Sequence, residues 1–171
     1  SFYGTIRAFG TDIFSVVDNT RDLRVPQGPL FFAVYGLLGS LVDYSLPALR
    51  LINILISFAA AMILFRILRQ VSNLPTLLTF WFVLNPYFLL LTTPYLYTDN
   101  LCIFFIISGI YFFVVKEQRV IAGLLWGLAI WTRQIAIFIP LAALLTDLYF
   151  NKYKYDFGRQ IRFIVFNSIP F

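Results

Sequence analysis

Residues 94–134 read PYLYTDNLCIFFIISGIYFFVVKEQRVIAGLLWGLAIWTRQ, and this stretch decides how the chain folds. Two polar islands, residues 97–100 and 131–134, interrupt a sequence that is otherwise almost entirely apolar. An isolated aspartate or arginine at the centre of a membrane helix costs roughly 2.5–3.5 kcal/mol on insertion scales. Asp99 and Arg133 therefore need a membrane boundary, a polar cavity or each other, which makes them the prime candidates for a functional site.

The two islands are spaced as the open ends of a helical hairpin. Residues 100–115 carry no charge, residues 116–119 form a charged turn, and residues 120–132 are again uncharged. At about 1.5 Å per residue, the first helix covers roughly 25 Å and the second returns roughly 20 Å. The spacing predicts that Asp99 and Arg133 lie at a similar depth, on the side of the membrane opposite the charged turn.

Composition places the chain among integral membrane proteins. Of its 171 residues, 60% are hydrophobic and only 12% are charged, whereas soluble domains contain about 25% charged residues. The mean hydropathy is +0.83, and the many aromatic residues suit anchors at the membrane interface. We therefore predict an all-α integral membrane fold, a fragment of a multi-span helical bundle with an amphipathic juxtamembrane helix.

Composition also excludes several functions. The net charge of +5 is spread over short loops, so it indicates membrane orientation rather than nucleic-acid binding. The absence of histidine and the single Cys102 exclude an internal disulfide and argue against zinc or haem. The chain opens on Ser1 and closes inside an apolar run, so we expect an internal piece of a larger protein.

Two regions are predicted. Residues 1–46 form an extracytoplasmic loop with juxtamembrane helices, and residues 47–171 form an incomplete transmembrane bundle. The Pro-Gln-Gly-Pro turn at residues 26–29 breaks any helix, and residues 30–42 are apolar but too short for a full span. Before that turn, an apolar stripe at helical spacing predicts an amphipathic helix on the membrane surface, or else a helix packed on a soluble domain. The stripe consists of Phe2, Ile6, Phe9, Ile13, Phe14 and Val17.

Five apolar segments follow along the chain. The first is expected to end at a polar loop that starts at Arg66, and the second to be kinked at Asn85-Pro86 and at Pro94. The predicted segments are residues 47–65, 76–96, 99–115, 120–133 and 135–150.

Basic residues set the predicted orientation. Loops 66–73, 116–119 and 151–162 hold eight of the thirteen basic residues, so the positive-inside rule places their shared face in the cytoplasm. A rival topology runs residues 120–150 through the membrane as one helix. That topology buries Arg133 at mid-depth and sends the last basic loop to the far side, so we favour the hairpin, with both polar islands on the extracytoplasmic face.

Arg133 is the strongest site candidate. Its guanidinium presents five donors in a rigid fork that suits a phosphate or a carboxylate, although snorkelling to lipid phosphate or pairing with Asp99 would also explain it. Asp99 would equally serve as an ordinary helix cap. Tyr97 is either an interfacial anchor or a flat surface on which a sugar ring could stack.

Four motifs resemble a known group. They are Val-Pro-Gln-Gly-Pro-Leu-Phe-Phe at residues 25–32, Leu-Arg-Leu-Ile-Asn at 49–53, Tyr-Thr-Asp at 97–99 and Thr-Arg-Gln at 132–134. In this order they resemble the GT-C superfamily of polyprenyl-phosphate-sugar-dependent glycosyltransferases, over residues 22–145. Within it, the chain looks most like the endoplasmic-reticulum α-1,2-glucosyltransferases that add the last glucose to the dolichol-linked oligosaccharide, although Pro-Gln-Gly-Pro stands where they have Pro-Pro-Gly.

The resemblance implies a membrane enzyme that moves a sugar from a dolichyl or polyprenyl phosphate to a lipid-linked or other glycan acceptor. Its membrane would be the endoplasmic reticulum or a bacterial plasma membrane. Arg133 would clamp the donor phosphate, Gln134, Tyr97 and Gln27 would bind substrate, and Asp99 would orient Arg133 or bind the acceptor. No resident cofactor or metal site is implied, although a divalent cation is compatible with one carboxylate.

The catalytic base is not assigned. GT-C enzymes carry an acidic residue or pair soon after their first span, and this chain is expected to begin after that position. Asp12 and Asp18 lie in the same loop without such a motif, and Asp99 is a third candidate.

Two other classes of function stay open, a scaffold without chemistry and a transporter or flippase segment gated by an Asp99–Arg133 pair. The inverted repeat expected of a transporter is not seen in the 171 residues.

Overall fold

The structure, a computed structural model, describes residues 6–7, 28–85 and 98–150, and every regular element in these ranges is helical. This confirms the predicted all-α class. A π-helical turn, Tyr111–Val115, extends the fourth helix, and a 3₁₀ turn, Gln134–Ile137, precedes the last. The helices are α1 (Pro29–Ser40), α2 (Leu46–Val71), α3 (Pro75–Leu84), α4 (Thr98–Ile110), α5 (Arg119–Thr132) and α6 (Phe138–Phe150).

Proline sets the start of the first three helices. Pro29, Pro47 and Pro75 each occupy one of the first two positions of a helix. There the missing amide costs nothing, because the first amides of a helix have no partner within it, and the fixed φ suits the first turn. The sequence therefore determines where α1, α2 and α3 begin.

Helix α2 is longer than predicted. It contains 26 residues, about 39 Å at 1.5 Å per residue, and among the described helices it alone is long and apolar enough to cross a membrane. The prediction that the segment ends at residue 65 is wrong, since Arg66 and Arg69 lie on its last turns, both exposed. Arginine is a good helix former and favours the negative end of the helix dipole, so nothing in the sequence stops the helix at Arg66.

Large apolar side chains cover the outer faces of α2 and α3. Helix α3 has no buried residue at all. A continuous exposed apolar surface of this kind is typical of a lipid-facing or partner-facing side. The exposed residues include Leu51, Ile54, Leu55, Phe58 and Met62 on α2, and Leu77, Leu78, Phe80, Trp81 and Leu84 on α3.

Several predicted elements fall outside the described residues or reach their edge. Helix α3 ends at Leu84, immediately before the predicted kink at Asn85-Pro86, and the rest of the predicted segment 76–96 lies outside. Of the predicted amphipathic helix, the structure describes Ile6 and Arg7, both helical, and Ile6 is completely buried. The basic segment 151–162 also lies outside the described residues.

Helices α4 and α5 form the predicted hairpin. The chain reverses through a turn in which Glu117 has a positive φ of 55°, closed by a hydrogen bond from the Gln118 amide to the Phe112 carbonyl at 2.8 Å. Cys102 packs against Ala129 and Ile130 along the hairpin. The hairpin prediction is confirmed.

A second reversal follows at Arg133. Its extended backbone, with φ −149° and ψ 121°, ends α5. Ala143 of α6 then packs against a cluster that contains Trp126 of α5. In one continuous helix, Trp126 and Ala143 would stand about 25 Å apart along the axis, so the rival topology with a single helix over residues 120–150 is excluded.

Gly109 gives the α4–α5 contact its close fit. Trp126 lies across it and donates its indole N–H to the Ile106 carbonyl at 3.2 Å, and a Cβ on Gly109 would come within 2.3 Å of Trp126 Nε1. We therefore expect Gly109→Ala to destabilise the fold by about 1–3 kcal/mol through overpacking. The thermal midpoint of the detergent-solubilised protein measures this. Val114→Ile, which adds a carbon at an exposed site of the π-helical turn, is the control, and equal midpoints for the two variants would contradict the packing described.

Candidate functional site

The polar islands meet in an ion pair at the open end of the hairpin. Asp99 lies on the first turn of α4, and Arg133 is the first residue after α5. The Arg133 guanidinium donates from Nη1 to Oδ1 of Asp99. The prediction that these two side chains emerge together at one end of the bundle is confirmed.

The pair is only partly shielded. The Asp99 side chain is 15% exposed and that of Arg133 is 31% exposed. The described contact engages Nη1, whereas a guanidinium carries five N–H donors in total. Nearly a third of the Arg133 side chain thus stays open while Nη1 holds Asp99.

The backbone around Arg133 is held on both sides. The Arg133 amide donates to the Ala129 carbonyl at 2.8 Å and closes α5, while the Arg133 carbonyl accepts from the Ala136 amide at 3.0 Å and opens the 3₁₀ turn. Thr132, which is completely buried, donates its hydroxyl to the Leu128 carbonyl at 2.9 Å. These bonds fix the position from which the guanidinium projects.

The turn before α1 lies directly against this segment. The Gly28 amide donates to the Thr132 carbonyl at 3.0 Å, and a Cβ on Gly28 would come within 1.5 Å of the Trp131 carbonyl oxygen. The turn and the Arg133 island, which the sequence analysis places on the same side of the membrane, are in contact at Gly28. This backbone contact was not predicted, although the glycine between two prolines was a signal for it.

A buried apolar cluster links α1 to α2 and α4. Phe31 and Tyr35 of α1 are completely buried and form one cluster with Leu49 of α2 and Leu101 of α4. Leu101 lies on α4, the helix that carries Asp99, so α1 packs against this helix as well as against α2. Helix α1 is therefore part of the site's framework.

The remaining predicted residues are distributed as follows. Gln134 is described, exposed and adjacent to Arg133 on the 3₁₀ turn. Among residues 6–7, 28–85 and 98–150, no group of three or more His, Cys, Asp or Glu side chains could hold a metal ion. The candidates that lie outside these ranges are Asp12, Asp18, Gln27 and Tyr97.

The fold and site define an all-helical membrane protein with a partly open charged pair at one end of a helical hairpin. Residues 26–165 match the model of the dolichyl-phosphate-mannose-protein mannosyltransferase family, and the chain belongs to this family. The family is of GT-C type and comprises integral membrane glycosyltransferases that use polyprenyl-phosphate sugar donors. Comparisons with curated proteins and with solved structures gave no match.

The family membership confirms the predicted superfamily and the predicted class of enzyme. The matched range contains Gly28, Asp99 and Arg133, so the site described here lies within the shared region. The narrower likeness to the glucosyltransferases of the endoplasmic reticulum stays a prediction.

Gly28 packs so closely against the Trp131 carbonyl that a side chain at residue 28 would not fit. We expect Gly28→Ala to displace the turn and to lower stability by about 1–3 kcal/mol, with loss of the native geometry at Arg133. Thermal unfolding and limited proteolysis of the purified protein measure the change. Leu37→Ala, at an exposed position of the same helix, is the control, and a Gly28→Ala protein as stable as this control would refute the close backbone contact.

Proposed function

We propose that this chain forms part of a glycosyltransferase site that takes a hexose from a dolichyl or polyprenyl phosphate at the extracytoplasmic face. The observation that carries the proposal is the partly open Asp99–Arg133 pair, held at one end of a hairpin in a chain of this family. Arg133 binds the donor phosphate, and Gln134, Tyr97 and Gln27 contact donor or acceptor.

The chemistry explains why an arginine is needed there. An acceptor hydroxyl attacks the anomeric carbon, the bond between that carbon and the phosphate oxygen breaks, and the hydroxyl proton passes to a carboxylate base. Negative charge accumulates on the departing lipid phosphate. A fixed guanidinium next to the leaving oxygen stabilises this charge, and it does so best where water is scarce.

Asp99 fits an orienting role better than that of the base. Its carboxylate already accepts from Arg133 Nη1, so its oxygen Oδ1 is engaged in holding the guanidinium. By engaging Nη1, Asp99 holds the guanidinium plane and leaves other donors for the phosphate. Asp12 and Asp18, which lie outside the described residues, are then the remaining candidates for the base that the sequence analysis named.

The arrangement of charges supports a multi-pass topology with the site on the extracytoplasmic side. Ile67, on the last turns of α2, packs against Ile107 with Tyr111 and Val115 beside it. This contact brings the basic end of α2 next to the basic turn that contains Lys116. Both lie at the end of the α4–α5 hairpin opposite Arg133, and the positive-inside rule assigns that end to the cytoplasm.

The proposal also covers which sugar is transferred and which acceptor receives it. The motifs at residues 25–32 and 49–53 support a glucosyltransferase of the endoplasmic reticulum that acts on a lipid-linked oligosaccharide. The name of the matched family instead specifies mannose as the sugar and a protein as the acceptor. Assaying the complete protein in membranes with dolichyl-phosphate glucose and dolichyl-phosphate mannose separates the two. No described observation favours a transporter or flippase.

Arg133→Lys is the sharpest test of the phosphate role. Lysine keeps the positive charge but loses the planar fork, and one hydrogen bond to a charged group is worth about 1.5–3 kcal/mol. We therefore expect sugar transfer by the complete protein to fall about 10- to 100-fold, with expression close to normal.

Arg69→Lys provides the matched control, since Arg69 is exposed in the last turn of α2, at the end of the bundle away from Arg133. It should transfer sugar at the normal rate. Near-normal transfer by Arg133→Lys would remove Arg133 from the site.

Asp99→Asn distinguishes an orienting carboxylate from a catalytic base. If Asp99 orients Arg133, we expect a loss of about 10- to 100-fold, and the double variant Asp99→Asn/Arg133→Lys should lose little more than either single variant. The measurement is a double-mutant cycle on kcat/KM for the lipid-phosphate sugar. Full additivity of the two losses would show that Asp99 acts independently of Arg133.

A further inference from the structure

A buried polar bond ties α1 to α2. The Tyr35 hydroxyl donates to the side-chain oxygen of Asn53 at 2.5 Å, and the two residues are 0% and 1% exposed. Burial raises the pKa of the Tyr35 phenol, because desolvation disfavours the phenolate, so the group stays a neutral donor. Ser57, also buried, donates its hydroxyl to the Asn53 carbonyl at 3.0 Å.

This bond fixes the position of a helix that apolar packing alone would leave loosely placed. Apolar side chains of α1 would pack comparably well after a small slide along α2, especially where the surroundings are lipid. A buried amide and a buried phenol have no water to replace a lost partner, so a slide leaves both groups unsatisfied. The Tyr35–Asn53 bond therefore determines where α1 sits on α2.

The amino-terminal end of α1 also touches the Arg133 segment. Gly28, directly before α1, donates to the Thr132 carbonyl and has no space for a Cβ against Trp131. Gly28 and Tyr35 are separated by about 10 Å along the helix axis. Helix α1 is thus held to α2 at Tyr35, near its middle, and to the Arg133 segment at its amino-terminal end.

We propose that Tyr35 and Asn53 are positioning residues for the phosphate-binding site. Their bond holds α1 at the place where Gly28 packs against Trp131 and Thr132, and so sets the position of the backbone segment from which Arg133 reaches the lipid-phosphate sugar. The catalytic meaning of this inference rests on the proposed function, whereas the geometric part does not.

Tyr35→Phe removes the donor and leaves the ring in place. In the complete protein reconstituted in lipid nanodiscs, we expect KM for the polyprenyl-phosphate sugar to rise about 3- to 15-fold, the range that single hydrogen bonds between membrane helices carry, with kcat changed less than about twofold. Partial loss of folded protein would instead lower kcat and leave KM unchanged. The matched control is Tyr111→Phe, which makes the same chemical change in the π-helical turn at the far end of the hairpin and should leave both parameters unaltered.

Asn53→Leu tests whether the two residues act through one bond. It should raise KM to a similar extent, and the double variant Tyr35→Phe/Asn53→Leu should raise it no further. Independent, additive effects would overturn the shared positioning role.

A readout without catalysis separates this inference from the proposed function. Gln134→Cys places a thiol beside Arg133, and Cys102 is buried, so a water-soluble maleimide reports access to the site. The labelling rate should change by at least about threefold in the Tyr35→Phe background and not in the Tyr111→Phe background. Unchanged labelling would overturn the inference. A labelling change in a protein that transfers no sugar from any lipid phosphate would support the inference and refute the proposed function.

Discussion

The contact on which the site depends is the ion pair between Asp99 and Arg133. Each charge alone is unfavourable within an apolar bundle, and the structure accommodates both by placing the start of α4 next to the end of α5. The two arms differ in length, residues 98–115 against residues 119–132, yet their charged ends meet at the open end of the hairpin.

Small residues let neighbouring segments of the backbone pack closely, both between α4 and α5 and at the site. In α4 and α5, Cys102 packs on Ala129 and Trp126 lies across Gly109, so small residues let the arms come together. Small residues are the usual means by which membrane helices associate, since burial from lipid offers no hydrophobic gain. At the site, the same device brings Gly28 onto the carbonyl of Trp131, and the framework of the site is continuous with the packing of the bundle.

The sequence predicted the parts that follow from local charge and spacing. Two uncharged runs, residues 100–115 and 120–132, on either side of a charged turn were enough to predict the hairpin, its reversal at Arg133 and the meeting of Asp99 with Arg133. The end of α2 was predicted wrongly, because Arg66 and Arg69 are polar yet continue a helix well. The Tyr35–Asn53 bond and the contact of Gly28 with Trp131 and Thr132 were not predicted. Both join residues that are far apart in the chain, and no local sequence pattern specifies such partners.

The close packing of Gly28 has a consequence for which substitutions the chain tolerates. Where Gly28 meets Trp131 and Thr132, the contact is made by peptide groups, with no side chain between the two segments. Every residue type carries a backbone carbonyl, so the Gly28–Thr132 hydrogen bond does not depend on which side chain stands at residue 131. At residue 28, in contrast, the contact restricts the chain to glycine, because any side chain there would meet the Trp131 carbonyl.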